Sequence, residues 1–278
     1  MKYDLAVSIV VYHTDIDTLK KTIDSVLNSK LLVKVYVIDN SDTDTIGSLL
    51  VNYKNIDYTF NNNNLGYGKA HNIGIRKSLE ENTKYHVVLN PDIWFGDNVL
   101  EDLYNYMDLN DDIGNVMPKV LYGNKEEQYL CKLIPTPFDL IFRRFIPFKK
   151  LKEKRNEKYE LRFSGYNKIM EVPILSGCFM FIRTQCLEDV GLFDERYFMY
   201  LEDVDLSRRI HQKYKTIFNP NITIFHGYAK ESYVNPQLLK YHIRSAISYF
   251  NKWGWVFDSE RSLLNKKILT KLDMSNAN

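Results

Sequence analysis

The sequence predicts an α/β fold built on a mainly parallel central sheet. Two observations carry this. Runs dense in valine and isoleucine alternate with segments of helical period through the first half of the chain. Polar residues capable of chemistry, His13, Asp39 and Asn90–Asp92, fall where such runs end, and open α/β sheets bind ligands there.

The first run, LAVSIVVY (5–12), has the unbroken apolar character of a strand buried on both faces. Leu19, Ile23, Val26 and Leu27 recur at helical spacing and predict a helix over 17–28. VKVYVIDN is a second strand ending at Asp39, and IDYTF a weaker third. GKAHNIGIRKSLEEN (68–82) reads as a helix and YHVVLN (85–90) as a fourth strand. DNVLEDLYNYMDL (97–109) reads as a helix with Asp97 as its expected cap. VPILSGCFMFIRTQCL reads as a strand entering a turn, and TIFNPNITIFHG as a short hairpin ending at His226. LLKYHIRSAISYFNKWGWVF (238–257) is an aromatic, helix-like stretch. No internal repeat or separating linker is visible, so one domain over 1–278 is expected.

Composition narrows the function. At 278 residues and 45% hydrophobic content a sizeable core can be buried. Charged residues at 26% fit a soluble globular chain. A net charge of +2 gives no case for nucleic-acid binding. Cys131, Cys178 and Cys186 form no CxxC pair and read as unbridged thiols of a reducing compartment. The start, MKYDLAVSIVVYHTD, is too short and too polar for a signal peptide, and no apolar run of about 18 residues predicts a membrane span.

Several constellations are candidates for chemistry. In VVLNPDIWF (87–95), Asp92 stands at the edge of an apolar run, although Asn-Pro-Asp is also ordinary turn chemistry. YLEDVDLSRRI (200–210) crowds Glu202, Asp203 and Asp205 into one turn. Acids suit a helix start, but capping needs only one of them. Asp205 can pair with Arg209 at i+4. Neighbours on a helix point about 100° apart, so one of Glu202 or Asp203 is left to face a pocket as a general base. NNNNLGYGKAHNIG (61–74) is neither a dinucleotide fingerprint nor a P-loop, yet glycines before a helix let backbone approach a ligand, and Asn64, His71 and Asn72 add neutral hydrogen-bonding groups. Asp39 can accept from a base N–H or a ribose hydroxyl. His226 gains meaning only beside another hard ligand, and Asp92 is a candidate. The basic, aromatic stretch Phe142–Phe163 reads either as a solvated loop or as a flap touching an anionic membrane.

The ordered set VSIVVY, strand-ending Asp39, NLGYGKAHNIG, LNPD, SGCFMFIRT, GLFDERYFMYLEDVDLSRRI and HG resembles family 2 inverting glycosyltransferases of the GT-A fold, across roughly Leu5 to Phe250. NLGYGKAHNIG with LNPD is most similar to the bacterial rhamnosyltransferase branch. The resemblance implies a Rossmann-like sheet flanked by helices, with a C-terminal helical segment. It implies a nucleotide-sugar-binding half (1–118), an acceptor and catalytic half (119–235) and a helical extension (236–278). Asp39 would recognise the nucleotide base, Asp92 would be the metal-binding acid of a DXD-like motif, and Asp203, paired with Glu202, the catalytic base. His226 would contact metal or diphosphate. Tyr12, His13, Asn64, Gly66, Lys69, Asn72, Asn90 and Gly177 would line the donor site. Asn90 stands where the motif's first acid is usual, so Mg²⁺ or Mn²⁺ would be held loosely, chiefly through the sugar nucleotide.

The expected reaction is transfer of a sugar, from dTDP-L-rhamnose or a UDP-sugar, to a saccharide or lipid-linked saccharide in cell-surface polysaccharide synthesis. The expected setting is cytoplasmic, with peripheral contact at the inner leaflet; a homo-oligomer stays open. A sugar nucleotidyltransferase would want a glycine-rich basic loop after the first strand, and VYHTDIDTL offers none. A non-catalytic sugar-nucleotide-binding module is the remaining alternative.

Overall fold

The computed structural model describes residues 2–51, 53–141, 149–227 and 236–276. In chain order the elements are β1 (Leu5–Val11), α1 (Ile16–Leu27), β2 (Val33–Asp39), α2 (Gly47–Leu50), β3 (Ile56–Phe60), α3 (Tyr67–Glu80), β4 (Tyr85–Leu89), β5 (Ile93–Trp94), α4 (Val99–Asp108) and β6 (Ile113–Tyr122). There follow α5 (Pro137–Leu140), α6 (Lys149–Tyr159), β7 (Met170–Glu171), β8 (Phe179–Arg183), α7 (Thr184–Val190), α8 (Glu202–His211), β9 (Lys215–His226), α9 (Pro236–Trp253) and α10 (Ser259–Asn276).

One nine-stranded sheet organises them, in the order β3-β2-β1-β4-β8-β6-β9-β5, with β7 on β9. The first four strands in that order pair in parallel. Beyond β4 the sheet is mixed: β8 runs antiparallel to both β4 and β6, while β6 and β9 are parallel. Both faces are covered, which is why the strands read as continuous apolar runs. Val87 and Leu89 enter the main core cluster while Val88 enters a second one with Ile75, Leu206 and Ile210. That split is the alternation of a pleated strand.

Local chemistry sets the boundaries. Asp15 starts α1, its Oδ1 accepting from the Thr18 N–H at 2.9 Å. Asp97 does not cap α4 as expected. Asn98 occupies the cap in a left-handed conformation, and Asp97 accepts instead from Asn28 Nδ2 at 2.6 Å. The expected hairpin at 216–227 is a single long strand, β9. Its Asn-Pro-Asn is absorbed as a bulge, where Pro118 pairs with Asn219 but Lys119 with Thr223. Ahead of β8 the order is reversed from expectation: the turn at 176–178 precedes the strand, which runs directly into α7. The described part of the basic stretch is mostly helical rather than a loop. It is the helix α6, anchored by Arg155 Nε on Asp139 Oδ1 at 2.7 Å, with Tyr159 buried behind it. The aromatic start of that stretch, residues 142–148, lies outside the described residues.

The C-terminal helices close over the sheet's flank. Ala246, Tyr249 and Phe250 of α9 pack with Tyr197, Leu201 and Val204. The cysteines are unbridged and buried. Among the described residues no helix is long and apolar enough to cross a membrane.

Candidate active site

Three strand ends and one helix start meet at the carboxyl edge of the sheet. Asp39 closes β2 and is 1% exposed. Its carboxylate accepts from the Ser41 N–H at 2.8 Å and from the Tyr58 hydroxyl at 2.9 Å. Ser41 Oγ in turn accepts from the His13 N–H at 2.9 Å, and Tyr12 packs edge-on against the His13 ring at 4.4 Å. Tyr12 and His13 are both exposed beside Asp39.

Asp92 and His226 are brought together by β5 pairing with β9, where Ile93 faces His226. His226 Nε2 lies 3.3 Å from Asp92 Oδ1. Gln128, 4% exposed, brackets the histidine from behind. Its Oε1 lies 3.0 Å from Nδ1, and its Nε2 donates to the His226 carbonyl at 3.2 Å. Nδ1 thus faces the Gln128 amide and Nε2 faces Asp92. An imidazole nitrogen and a carboxylate oxygen set side by side are ligand types that a divalent cation takes. The residues therefore fit a divalent metal, although no group of three or more His, Cys, Asp or Glu side chains converges among the described residues. Phosphate oxygens and water would have to complete its shell.

Glu202 and Asp203 open α8 after two consecutive left-handed residues, Tyr200 (φ 69°) and Leu201 (φ 68°). Such a conformation costs of order 1–3 kcal/mol per non-glycine residue. It turns the helix start toward the site. The two acids then separate as helical neighbours must. Asp203 is half-buried, with Oδ2 accepting from the Gly177 N–H and Oδ1 from the Val204 N–H, each at 2.8 Å. Glu202 is 5% exposed, and its Oε2 has no hydrogen-bond partner among the described residues. Burial, and then the charge of Asp203, push its carboxyl well above the ordinary range. Asp205 is structural, as its spacing predicts. It is fully buried and accepts from Arg209 Nε at 2.8 Å, and also from Lys252 and Trp253 of α9.

One chain of contacts joins these groups. The Tyr67 hydroxyl lies 2.7 Å from the Gly177 carbonyl and 3.1 Å from Asn90 Oδ1. Asn90 Nδ2 lies 3.3 Å from His226 Nε2. Asp203, Gly177, Tyr67, Asn90 and His226 are thus linked by one arc of polar contacts, at whose end His226 abuts Asp92.

Other expected donor-site residues are engaged within the chain itself. The Asn72 amide clamps the backbone of Phe193, donating to its carbonyl at 2.9 Å and accepting from its N–H at 3.0 Å. Asn64 Oδ1 accepts from the Gly66 N–H at 2.9 Å. Gly66 (φ +84°) allows a close approach, but to this chain's own Phe198 carbonyl, which a Cβ would meet at 2.2 Å. Lys69 faces Glu195 at 3.9 Å. Gly177 packs closely on Asp203, where a Cβ would meet Asp203 Cβ at 2.9 Å. His71 is buried under the site against Ser8 Oγ at 2.7 Å, and burial pushes its pKa well below the usual histidine value. Gly66→Ala is expected to displace the Phe198 segment and cost about 1–3 kcal/mol, read as a lower urea midpoint. Gln128 and Tyr67 had no assigned role in the sequence. No spacing pointed to Gln128; for Tyr67 the only signal was an aromatic ring between two glycines at a helix start.

Comparison with known proteins follows this geometry. The family model described as glycosyl transferase family 2 matches residues 7–191. The low-salt glycan biosynthesis hexosyltransferase Agl10 of Haloferax volcanii is 27% identical over 214 residues, covering 76% of this chain and 62% of that protein. Rhamnosyltransferase WbbL of Escherichia coli K12 is 25% identical over 210 residues, covering 73% and 75%. An N-acetylglucosaminyl-diphospho-decaprenol L-rhamnosyltransferase of Mycobacterium tuberculosis is 27% identical over 227 residues, covering 73% and 69%. Among solved structures, GalNAc-T7 with UDP, GalNAc and Mn²⁺ superposes with a TM-score of 0.62 at 17% identity, over 91% of this chain and 50% of that one. The mannosyltransferase PcManGT of Pyrobaculum calidifontis, in complex with GDP-Man and Mn²⁺, gives 0.58 at 16% identity, over 89% of this chain and 65% of that one. The chain is therefore shorter than several of the proteins it matches. The fold is that of the GT-A glycosyltransferases. With the family model spanning more than half of its length, the chain belongs to glycosyl transferase family 2.

Proposed function

We propose that this glycosyltransferase moves L-rhamnose from dTDP-L-rhamnose, with inversion, onto a lipid-linked saccharide during cell-surface polysaccharide synthesis. The observation that carries the reading is the arc from Asp203 to Asp92, which couples a positioned base to a cation-ready pair. Relatives named as rhamnosyltransferases support the choice of sugar. A UDP-hexose donor is the near alternative, favoured by the relative named as a hexosyltransferase. Three buried thiols without a disulfide support a cytoplasmic setting.

In this reading Asp39 and Tyr58 form the base-recognition end, with Tyr12 and His13 along the donor's edge. Asp92 and His226 would hold Mg²⁺ or Mn²⁺, which would supply neutralisation of charge on the departing nucleoside diphosphate. Backbone N–H groups of Gly177 and Val204 keep the Asp203 carboxylate oriented. Asp203 takes the proton from an acceptor hydroxyl as that oxygen attacks the anomeric carbon. The bond from that carbon to the diphosphate oxygen breaks, and its electron pair leaves with the nucleoside diphosphate. One displacement with no covalent enzyme intermediate gives inversion. Glu202, kept protonated by burial, adds no second charge beside the base.

Donor-dependent release of nucleoside diphosphate, measured with and without a saccharide acceptor, tests transfer against mere binding. For the metal pair, Asp92→Ala is expected to abolish the gain in nucleoside diphosphate affinity that Mn²⁺ gives the wild type, with the thermal midpoint little changed. Titration calorimetry reads the affinities and a thermal melt the midpoint. Equal enhancement in the two proteins would remove Asp92 from the metal site.

A further inference from the structure

The turn between α9 and α10 presents Trp255, Val256 and Phe257 in succession. Val256 is 75% and Phe257 95% exposed, and Leu263 in the first turns of α10 is 70% exposed. A single exposed apolar residue is ordinary, but a contiguous patch on a rigid support is not. The support here is Arg261, which is 6% exposed. Its Nη2 donates to the Val256 carbonyl at 3.1 Å and lies 3.4 Å from the Trp255 carbonyl; Nη1 lies 3.5 Å from the carbonyls of Gly254 and Pro135. The Trp255 ring packs 5.2 Å from Phe250, and its Nε1 donates to Asn251 at 2.8 Å. Carbonyls of the turn thus face inward to a buried guanidinium while its apolar side chains face outward. Water does not require such an arrangement. Hydrocarbon does, because it offers backbone carbonyls no partner.

The acids beside the turn, Asp258 and Glu260, are paired with Arg208, and the neighbouring helix is net basic. The helix α6, KKLKEKRNEKY, carries six basic residues against two glutamates, and Lys150, Lys154 and Lys158 are exposed. Lys158 of α6 and Lys266 of α10 line one cavity of about 410 Å³, so the two helices are neighbours. Arg155 of α6 ties to Asp139 of α5, and Pro135 just before α5 reaches Arg261 beneath the turn. Cations therefore flank the apolar tip, as an anionic lipid surface favours.

We propose that Trp255–Phe257 is a docking tip that inserts into an anionic lipid leaflet, with the lysines of α6 and α10 against the headgroups. It extends the reading of a lipid-linked acceptor. The binding assay contains neither donor nor acceptor, so its failure is separable from failure of that reading. The full chain is sedimented with vesicles of phosphatidylcholine alone and of phosphatidylcholine mixed with phosphatidylglycerol, at low and high salt. Wild type is expected to bind the mixed vesicles at low salt and to be released by high salt. Val256→Ser combined with Phe257→Ser is expected to weaken binding by about tenfold or more. Lys150→Gln, Lys154→Gln and Lys158→Gln together are expected to weaken binding to the mixed vesicles only. Both variants should keep wild-type melting and transfer to a short soluble acceptor, since Val256 and Phe257 are 75% and 95% exposed, Lys150, Lys154 and Lys158 are exposed, and none of them belongs to the candidate site. Equal vesicle binding by wild type and the Val256/Phe257 variant, or no wild-type binding at low salt, would overturn the proposal. So would a dimer that this variant converts to monomer on sizing, because the tip would then be a contact between copies.

Discussion

With Asp203 in the proposed role of general base, Asp203→Asn is expected to lower transfer by about 10²–10⁴-fold, the usual loss when such a base is removed, and to leave donor binding near wild type. Asparagine keeps the shape and one acceptor oxygen. Of the two N–H groups that the carboxylate holds at 2.8 Å, one then meets an amide NH₂. A stability cost of about 1 kcal/mol follows from that mismatch. Glu202→Gln is the discriminating companion. Burial already keeps Glu202 protonated, so glutamine preserves both its shape and its neutrality, and most transfer survives. Stability tells the same story through pH. Because the folded state raises the Glu202 pKa, the contribution of this group is fully present below the ordinary carboxylate range and is lost as pH rises through the raised value. Glu202→Gln flattens that alkaline loss in urea titrations run across pH. Normal transfer by Asp203→Asn with an inactive Glu202→Gln would reverse the assignment.

Arg208→Met is expected to destabilise the chain by about 3–5 kcal/mol, the usual cost of removing one partner from a buried ion pair. Arg208 is 1% exposed. Its guanidinium is bidentate to Asp258 at 2.9 and 2.8 Å, reaches Glu260 at 2.6 Å and the Tyr249 hydroxyl at 3.2 Å, and lies 4.0 Å over the Trp253 ring. Methionine leaves Asp258 buried, with the Arg261 guanidinium 3.8 Å away and the Arg261 N–H at 2.9 Å as its remaining partners among the described residues. The urea midpoint should fall without a change in slope, and α10 should become the first site of proteolysis. Adding Asp258→Asn should recover part of the loss, which a double-mutant cycle reads. Burial works against charge on Asp258, yet the hydrogen bonds from Arg208 and the Arg261 N–H hold its carboxyl below the ordinary value. That stability is present above the unfolded carboxylate value and is lost as pH falls through the lowered one. A wild-type midpoint in Arg208→Met would mean that the pair merely offsets its own desolvation.

Periodicity made the parallel strands β1 to β4 and the helices α1, α3, α4 and α8 readable, because each buries a face at its own repeat. The pairing of Asp205 with Arg209 was equally legible, being a property of one helix. The strand β6, IGNVMPKVLY, was not legible, since Gly114, Asn115 and Pro118 break its alternation and only its neighbours β8 and β9 make it a strand. The β9 bulge was misread for the same reason: Asn-Pro-Asn is a turn unless a partner strand absorbs it.

The sequence by itself determined that this chain alternates strand and helix, that Asp39, Asp92 and Asp203 stand at element ends, and that the ordered motifs are those of family 2 glycosyltransferases. Local patterns suffice there, because strand ends and helix starts are set by residues near in sequence. Only the tertiary structure decided what each polar group faces. Asn72 was drawn onto Phe193, 121 residues away, and Gln128 onto His226, 98 residues away. It also divided the two adjacent acids, leaving Asp203 half-buried on backbone N–H groups and Glu202 buried, with burial raising its carboxyl pKa. A side chain's pKa and partners depend on the walls built around it, and those walls come from segments that no local pattern connects.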